Sequence, residues 1–353
     1  MFNGLFVDPE SRFGNDLLML EDGHVYVIDL EPGVVHAIYL VEEARKLTTR
    51  NGKPYLALTL RDNTGRIGAK RWDATDEEGE LAKVGGYLEI QGEVELYKNT
   101  PQIIIGAMRE PDPEAIDHNA FEQPVSFDPA ALFEELKDML ISMPDADLRR
   151  LSEAYLEDEG FMARFEISPA AQRMHHPYRF GLLEHVHSVM KLGERMCEHY
   201  PWLDRSIVLL GLFLHDSGKV VELVGEEVPS YSLEGELLGH ITIGINLLDR
   251  KLQALEDFPH RKSVLLKHII LSHHGLQEWG SPKPPMTPEA LVVHTIEMLD
   301  AKMNAFQREQ DEPAEVTDDL GGLRWSKLLK RKIITSHPTG KNSDAADESA
   351  ASE

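Results

Sequence analysis

Five positions bearing histidine or aspartate fall where helical periodicity places apolar side chains: His185, the pair His215-Asp216, His240, the pair His273-His274, and Asp300. An imidazole or carboxylate aimed into a helical core is costly unless it is hydrogen-bonded, ion-paired or bound to a cation. Their concentration in one stretch predicts a core built around metal. Leu182, His185 and Val189 share one face, so His185 points inward, whereas His187 is turned about 200° away. His240 aligns with Ile243, Gly244 and Leu247, His273 with Leu265 and Ile269, and Asp300 with Val293, Ile296 and Met303. His215-Asp216 ends the apolar run from Ile207 to Leu214, and Gly218 is placed to close that helix.

The donor types set the chemistry. Imidazoles and carboxylates without thiolate favour Mn or Fe over structural zinc, with Co and Mg as other fitting ions. Asp216 adjoins a histidine and has two oxygens, so it is placed to bridge a pair of ions. Ions about 3.5–4 Å apart can activate water and clamp both oxygens of a phosphoryl displacement. Lys219, one turn beyond the pair, is placed to meet developing phosphate charge. Asp216 and Lys219 are therefore the catalytic candidates. His274, about 100° round from His273, is either a further ligand, a substrate contact or a helix-end residue. His175, His176 and Tyr178 sit where they line a cleft or guide helix entry, and Trp279 is set for base stacking or for loop packing.

The order His, His-Asp, distant Asp resembles the HD-domain phosphohydrolase superfamily. Wider stretches carry the likeness: 175–185, with His175-His176-Pro177-Tyr178-Arg179; 214–220, with His215-Asp216-Ser217-Gly218-Lys219; 238–241; 271–282; and 298–304. Together they resemble the YhaM-type bacterial 3'-5' exoribonucleases, which join an OB-fold to an HD domain. The resemblance implies two divalent ions, with manganese favoured. His185, His215, Asp216 and Asp300 would hold the first; Asp216 would bridge to a second completed by His240 and His273. It also implies single-stranded RNA as substrate, with DNA as the variant, 3'-to-5' polarity and nucleoside monophosphate products.

The elements that must position these groups divide the 353-residue chain into an α+β multidomain protein. Residues 1–30 form an N-terminal segment, with a strand expected over His24 to Ile28. Residues 31–112 read as an OB-type barrel: strands over 34–41, 55–60, 66–72, 87–94 and 102–105, with Asn51-Gly52 as a hairpin turn. Residues 113–170 read as linker and helices, Asp128-Pro129 opening the first. The all-α HD domain occupies 171–310, and an acidic, partly disordered tail with a basic island at 324–332 fills 311–353.

A net charge of −25 argues against indiscriminate nucleic-acid binding, yet Glu42 to Arg71 holds eight basic residues against three acidic ones. Within the barrel, Trp72 and Tyr97 are placed to stack on bases, and Lys53, Lys70 and Lys98 to meet phosphates. No signal peptide or membrane span is legible, and the lone Cys197 fits a reducing compartment, so the cytoplasm is expected. The rivals to a nuclease are an HD phosphohydrolase of small nucleotides or cyclic dinucleotides, and a non-catalytic nucleic-acid-binding factor. Nothing fixes the oligomeric state.

Overall fold

Alternating apolar residues close a barrel in the first part of the chain. A computed structural model describes residues 24–98, 100–122, 125–172, 176–225, 228–311, 323–326 and 329–334. Strands β1 (Gly33–Thr48), β2 (Pro54–Arg61), β3 (Arg66–Trp72), β4 (Tyr87–Tyr97) and β5 (Thr100–Arg109) join in the order β1-β2-β3-β5-β4. Among these described strands only β3 and β5 pair in parallel. Inward residues such as Tyr39, Leu58, Leu60, Leu88, Ile90 and Ile103 fill the interior. Helix α1 (Asp76–Leu81) occupies the excursion between β3 and β4, its start fixed by a reciprocal Thr75–Glu78 capping box.

Two expectations are corrected here. The segment from His24 to Ile28 is no strand; it leads into a 3-10 turn at Val27–Asp29. The buried Asp62 takes its donors: Oδ2 accepts from Val27 N at 2.6 Å and faces His24 Nε2 at 3.2 Å, so no ladder is needed. Strand β1 also runs on through the polar residues to Thr48. Its partner β2 continues to the Asn51-Gly52 turn, where Gly52 adopts φ +78°, and hairpin pairing overrides the loss of alternation.

The second unit begins at Phe127. It contains α2 (Pro129–Ile141), α3 (Ala146–Leu156), α4 (Glu159–Ile167), α5 (Gly181–His199), α6 (Arg205–Leu214), α7 (Lys219–Glu222), α8 (Leu233–Ala254), α9 (His260–Ser272) and α10 (Pro288–Asp311). Asp128, Asp145, Asp158 and Asp204 cap α2, α3, α4 and α6 by accepting main-chain N–H bonds of the first turn. Helix α6 is buried from Ser206 to Leu214 and forms the axis of the unit. Each buried leucine contributes about 1.5–3 kcal/mol, so the helix that ends in His215-Asp216 is held firmly. Helices α2 to α4 share this core through Leu136, Leu140, Tyr155 and Phe165. A short pair, β6 (Leu223–Val224) with β7 (Ser230–Tyr231), follows α7. After α10, β8 (Leu323–Ser326) pairs with β9 (Arg331–Ile334), and Ser326 Oγ donates to Glu309 on α10. The N-terminal segment before His24 and the acidic tail beyond Ile334 lie outside the described residues. No described helix is long and apolar enough to cross a membrane.

Candidate metal centre

Each inward histidine arrives on its own element, and local backbone chemistry aims it. His185 lies on α5, fully buried, as its stripe position predicts. His215 caps the end of α6, and Asp216 follows in the tight turn into α7. Gly218 does not close α6 with a left-handed residue; its φ is −68°. Its requirement is steric instead, because a Cβ there would lie 2.0 Å from the His240 carbonyl oxygen. Helix α8 breaks at Gly239 (φ 70°, ψ 156°) and restarts at His240. That break frees the His240 N–H, which donates to Glu222 Oε1 at 2.8 Å. His273 is the C-cap of α9, and Asp300 sits on α10 one turn before Met303, where the expected apolar stripe has turned out to solvent.

The rings share one tautomer. His185 Nδ1 bonds Asp300 Oδ2 (2.8 Å), His215 Nδ1 the Leu212 carbonyl (2.6 Å) and His240 Nδ1 Glu222 Oε1 (3.0 Å). His273 Nδ1 bonds the Ile270 carbonyl (2.8 Å) and His274 Nδ1 the Trp279 carbonyl (2.9 Å). Carbonyl and carboxylate oxygens only accept, so every Nδ1 carries the proton and every neutral ring turns an Nε2 lone pair the other way.

Those lone pairs gather around Asp216. The Nε2 atoms of His185 and His215 stand 3.2 Å apart, and they lie 3.5 Å and 3.3 Å from Asp216 Oδ2. Ligands on bonds of about 2.1 Å stand roughly 3.0–3.4 Å apart, so the spacing suits one shared cation. On the other side, His240 Nε2 and His273 Nε2 each lie 3.6 Å from Asp216 Oδ1. These three buried atoms have no hydrogen-bond partner. Buried polar atoms are rarely left so, and a second cation would satisfy all of them. Among the described residues, ligand atoms also converge in the sets His240–His273–His274 and His176–His185–Asp300. The histidine-rich donor set thus fits divalent metal.

Asp300 is placed differently from the other ligand candidates. Its Oδ2 accepts a hydrogen bond from His185 Nδ1 and faces His176 Nε2 at 3.4 Å, while Ser188 Oγ donates to Oδ1 at 2.5 Å. It orients His185 and closes one side of the cluster. Lys219, buried rather than solvated, holds Asp216 Oδ2 at 2.6 Å.

Electrostatics follow from burial and these contacts. Burial would raise Asp216, but Lys219 and His215 overcome it and hold its carboxyl far below the usual range. Asp300 is likewise held down, burial being outweighed by the His176 and His185 hydrogen bonds. Burial pushes His185 down to about 4; burial and the nearby His240 push His274 down to about 4. His273 is also depressed by burial, whereas His215 is raised because Asp216 outweighs its burial. Were His215 to hold a metal ion, its ring would have to give up a proton first when charged.

Several partners were not legible in advance. Glu222, Glu297 and Ser188 gave no signal by residue type; His176 and Tyr178 did, and both join Glu184, at 2.9 Å and 2.5 Å. His175 lies outside the described residues. His187 instead faces Glu135 at 3.0 Å on the outer side of α5.

The barrel carries a separate cluster. Trp72 and Tyr97 are 40% and 54% exposed, and Lys70 Nζ lies over both rings at 5.6 Å and 5.0 Å. Lys98 Nζ lies 5.6 Å over Tyr97, and Tyr55, opposite Trp72 on β2, adds a ring 5.0 Å away. Lys53 stands apart, ion-paired with Asp73 at 3.2 Å. Acidic neighbours also meet much of the basic arm: Lys46 pairs with Asp76, Arg66 with Glu42 and Arg71 with Glu78.

Comparison with known proteins agrees with both halves. The HD-domain profile matches residues 182–302, and that of the OB-fold nucleic acid binding domain matches 33–110. The chain is 33% identical to the 3'-5' exoribonuclease YhaM of Listeria innocua, over 84% of this chain and 95% of that protein. The YhaM enzymes of a Geobacillus species and of Bacillus subtilis are 34% and 35% identical, over 86% and 82% of this chain and 94% and 93% of their own lengths.

Proposed function

Because the chain belongs to the YhaM family of 3'-5' exoribonucleases, we propose that it shortens single-stranded RNA from the 3' end by metal-dependent phosphodiester hydrolysis. The carrying observation is the set of three partnerless buried atoms, Asp216 Oδ1, His240 Nε2 and His273 Nε2, facing one another beside the His185–His215–Asp216 group. This supports two ions, which His185, His215 and Asp216 on one side and His240, His273 and Asp216 on the other would hold, with His274 at the edge. For that mixed imidazole and carboxylate set we take manganese as the ion, with Fe, Co or Mg as substitutes. Bound divalent ions supply Lewis acidity, polarising phosphoryl oxygens and acidifying water.

The chain's own residues do the rest. Asp300 fixes the tautomer and tilt of His185, and Glu222 does the same for His240. Lys219 neutralises Asp216 and, one turn beyond it, would meet the charge that develops on the phosphate. The exposed Trp72 and Tyr97 rings, with the half-buried Lys70 over both and Lys98 beside them, suit an unpaired strand, stacking bases while the lysines meet the backbone. Lys53 is a lesser contact because Asp73 already engages it. The test is 5'-labelled RNA with Mn²⁺ and either the native protein or Asp216→Ala. A ladder receding from the 3' end, lost in the variant together with bound metal, is expected; turnover by a metal-free variant would refute the reading.

A further inference from the structure

We propose that Trp279, steadied by Lys302, forms a stacking subsite for the base of the 3'-terminal nucleotide at the rim of the histidine cluster, an inference that rests on the nuclease reading above. The loop that carries Trp279 leaves α9 directly after His273-His274 and turns at Gly275 (φ 78°) and Gly280 (φ 93°). It is held by its own backbone: Trp279 N and Ser281 N both donate to the Leu276 carbonyl, at 3.0 Å and 3.2 Å. The Trp279 carbonyl in turn accepts a hydrogen bond from His274 Nδ1 at 2.9 Å. The His274 ring lies 4.2 Å from that of His273 and 5.2 Å from that of His240. The main chain that carries the indole is thereby tethered, through the His274 side chain, to the histidine cluster.

A tryptophan whose role was packing would be covered, yet this one is 49% exposed. Its steadying contact is cationic: Lys302, two residues beyond Asp300 on α10, places Nζ 5.8 Å over the ring. A half-exposed indole with an ammonium at its side offers a nucleotide two things, a π-face for the base and a positive charge for a phosphate oxygen. Neither contact reads base identity. That matches an enzyme that must accept whichever base comes to the end next.

The experiment uses the full chain with Mn²⁺ and two RNAs that differ only in whether the 3'-terminal nucleotide has its base or is abasic. The native protein is expected to show a KM about tenfold higher for the abasic end, from the stacking normally worth that factor. Trp279→Ala should raise KM about tenfold on the intact RNA, leave kcat nearly unchanged, and abolish the distinction between the two ends. Trp279→Phe should restore most of that distinction. An abasic penalty that survives Trp279→Ala, or is absent from the native protein, overturns the subsite. So does a fall in kcat and bound Mn²⁺ with the penalty intact, which would mean that Trp279 only holds His274. If the native protein shortens neither RNA, the nuclease reading has failed instead, and Kd values for the same two RNAs by anisotropy decide the subsite through the same comparison.

Discussion

One carboxylate oxygen of Glu222 holds His240 twice, accepting its main-chain N–H at 2.8 Å and its Nδ1–H at 3.0 Å. The first contact caps the restarted half of α8, and the second fixes the ring so that Nε2 faces Asp216 Oδ1. Glu222→Gln keeps an acceptor but removes the charge that makes the ring a better donor of its lone pair. Removing such an outer partner costs about 10–100-fold in metal affinity. Mn²⁺ titration calorimetry should show that loss at one site while the other is retained; unchanged affinity would leave Glu222 a cap only.

Gly218 and Gly239 are both indispensable-looking glycines beside His240, but for opposite reasons. A Cβ on Gly218 would strike main-chain atoms, 2.0 Å from His240 O and 2.8 Å from Gly244 N, which cannot step aside. Gly218→Ala should destabilise by about 3 kcal/mol and push α8 off the site. At Gly239 a Cβ would meet nothing within 4 Å, so only its backbone angles resist. Gly239→Ala should cost about 1–3 kcal/mol. Thermal melts give both costs, and Mn²⁺ binding separates them: Gly218→Ala is expected to lose it more completely.

The sequence made the inward histidines legible because they interrupt an apolar period, and that signal survives without knowing any partner. Barrel strands were legible for a related reason: β3 begins at Arg66 and ends at Trp72 as read, between turn residues on each side. What was not legible depends on contacts between distant segments. Glu222 and Glu297 are ordinary helix residues until folding sets one against His240 and buries the other near Asp216 and His215. Gly218 read as a helix stop, yet it serves the approach of α8. His24 to Ile28 had strand composition, and a single buried aspartate redirected it.

Glu297 gives a pH test. It lies one turn before Asp300 on α10, and burial, with Asp216 adding to it, pushes its carboxyl up to about 7 from an ordinary 4.5. The folded chain therefore holds this proton between those values while the unfolded chain has released it. Stability from Glu297 is present below pH 4.5 and lost as pH rises through 7. At about 1.4 kcal/mol for each tenfold change in proton affinity, the loss is about 3 kcal/mol. Glu297→Gln cannot ionise, so in EDTA its Tm should exceed the native value most above pH 7 and match it near pH 4.5. A difference that does not vary with pH would mean the carboxyl is already ionised throughout.

The barrel cluster separates stacking from charge. Trp72 presents its ring beside Tyr55 and under Lys70, so Trp72→Ala removes a platform without removing a charge. Losing one stacked base costs about 1–3 kcal/mol, which raises Kd for single-stranded RNA by roughly 5- to 150-fold at any salt concentration. Lys70→Ala should act the other way, lowering affinity most at low salt and reducing the slope of log Kd against log salt by about 0.7. Lys53→Ala should change that slope less, because Asp73 at 3.2 Å already neutralises it. Anisotropy titrations from low to moderate salt give all three values. Parallel displacement of every variant, with no change of slope for Lys70→Ala, would place the RNA backbone elsewhere on the barrel.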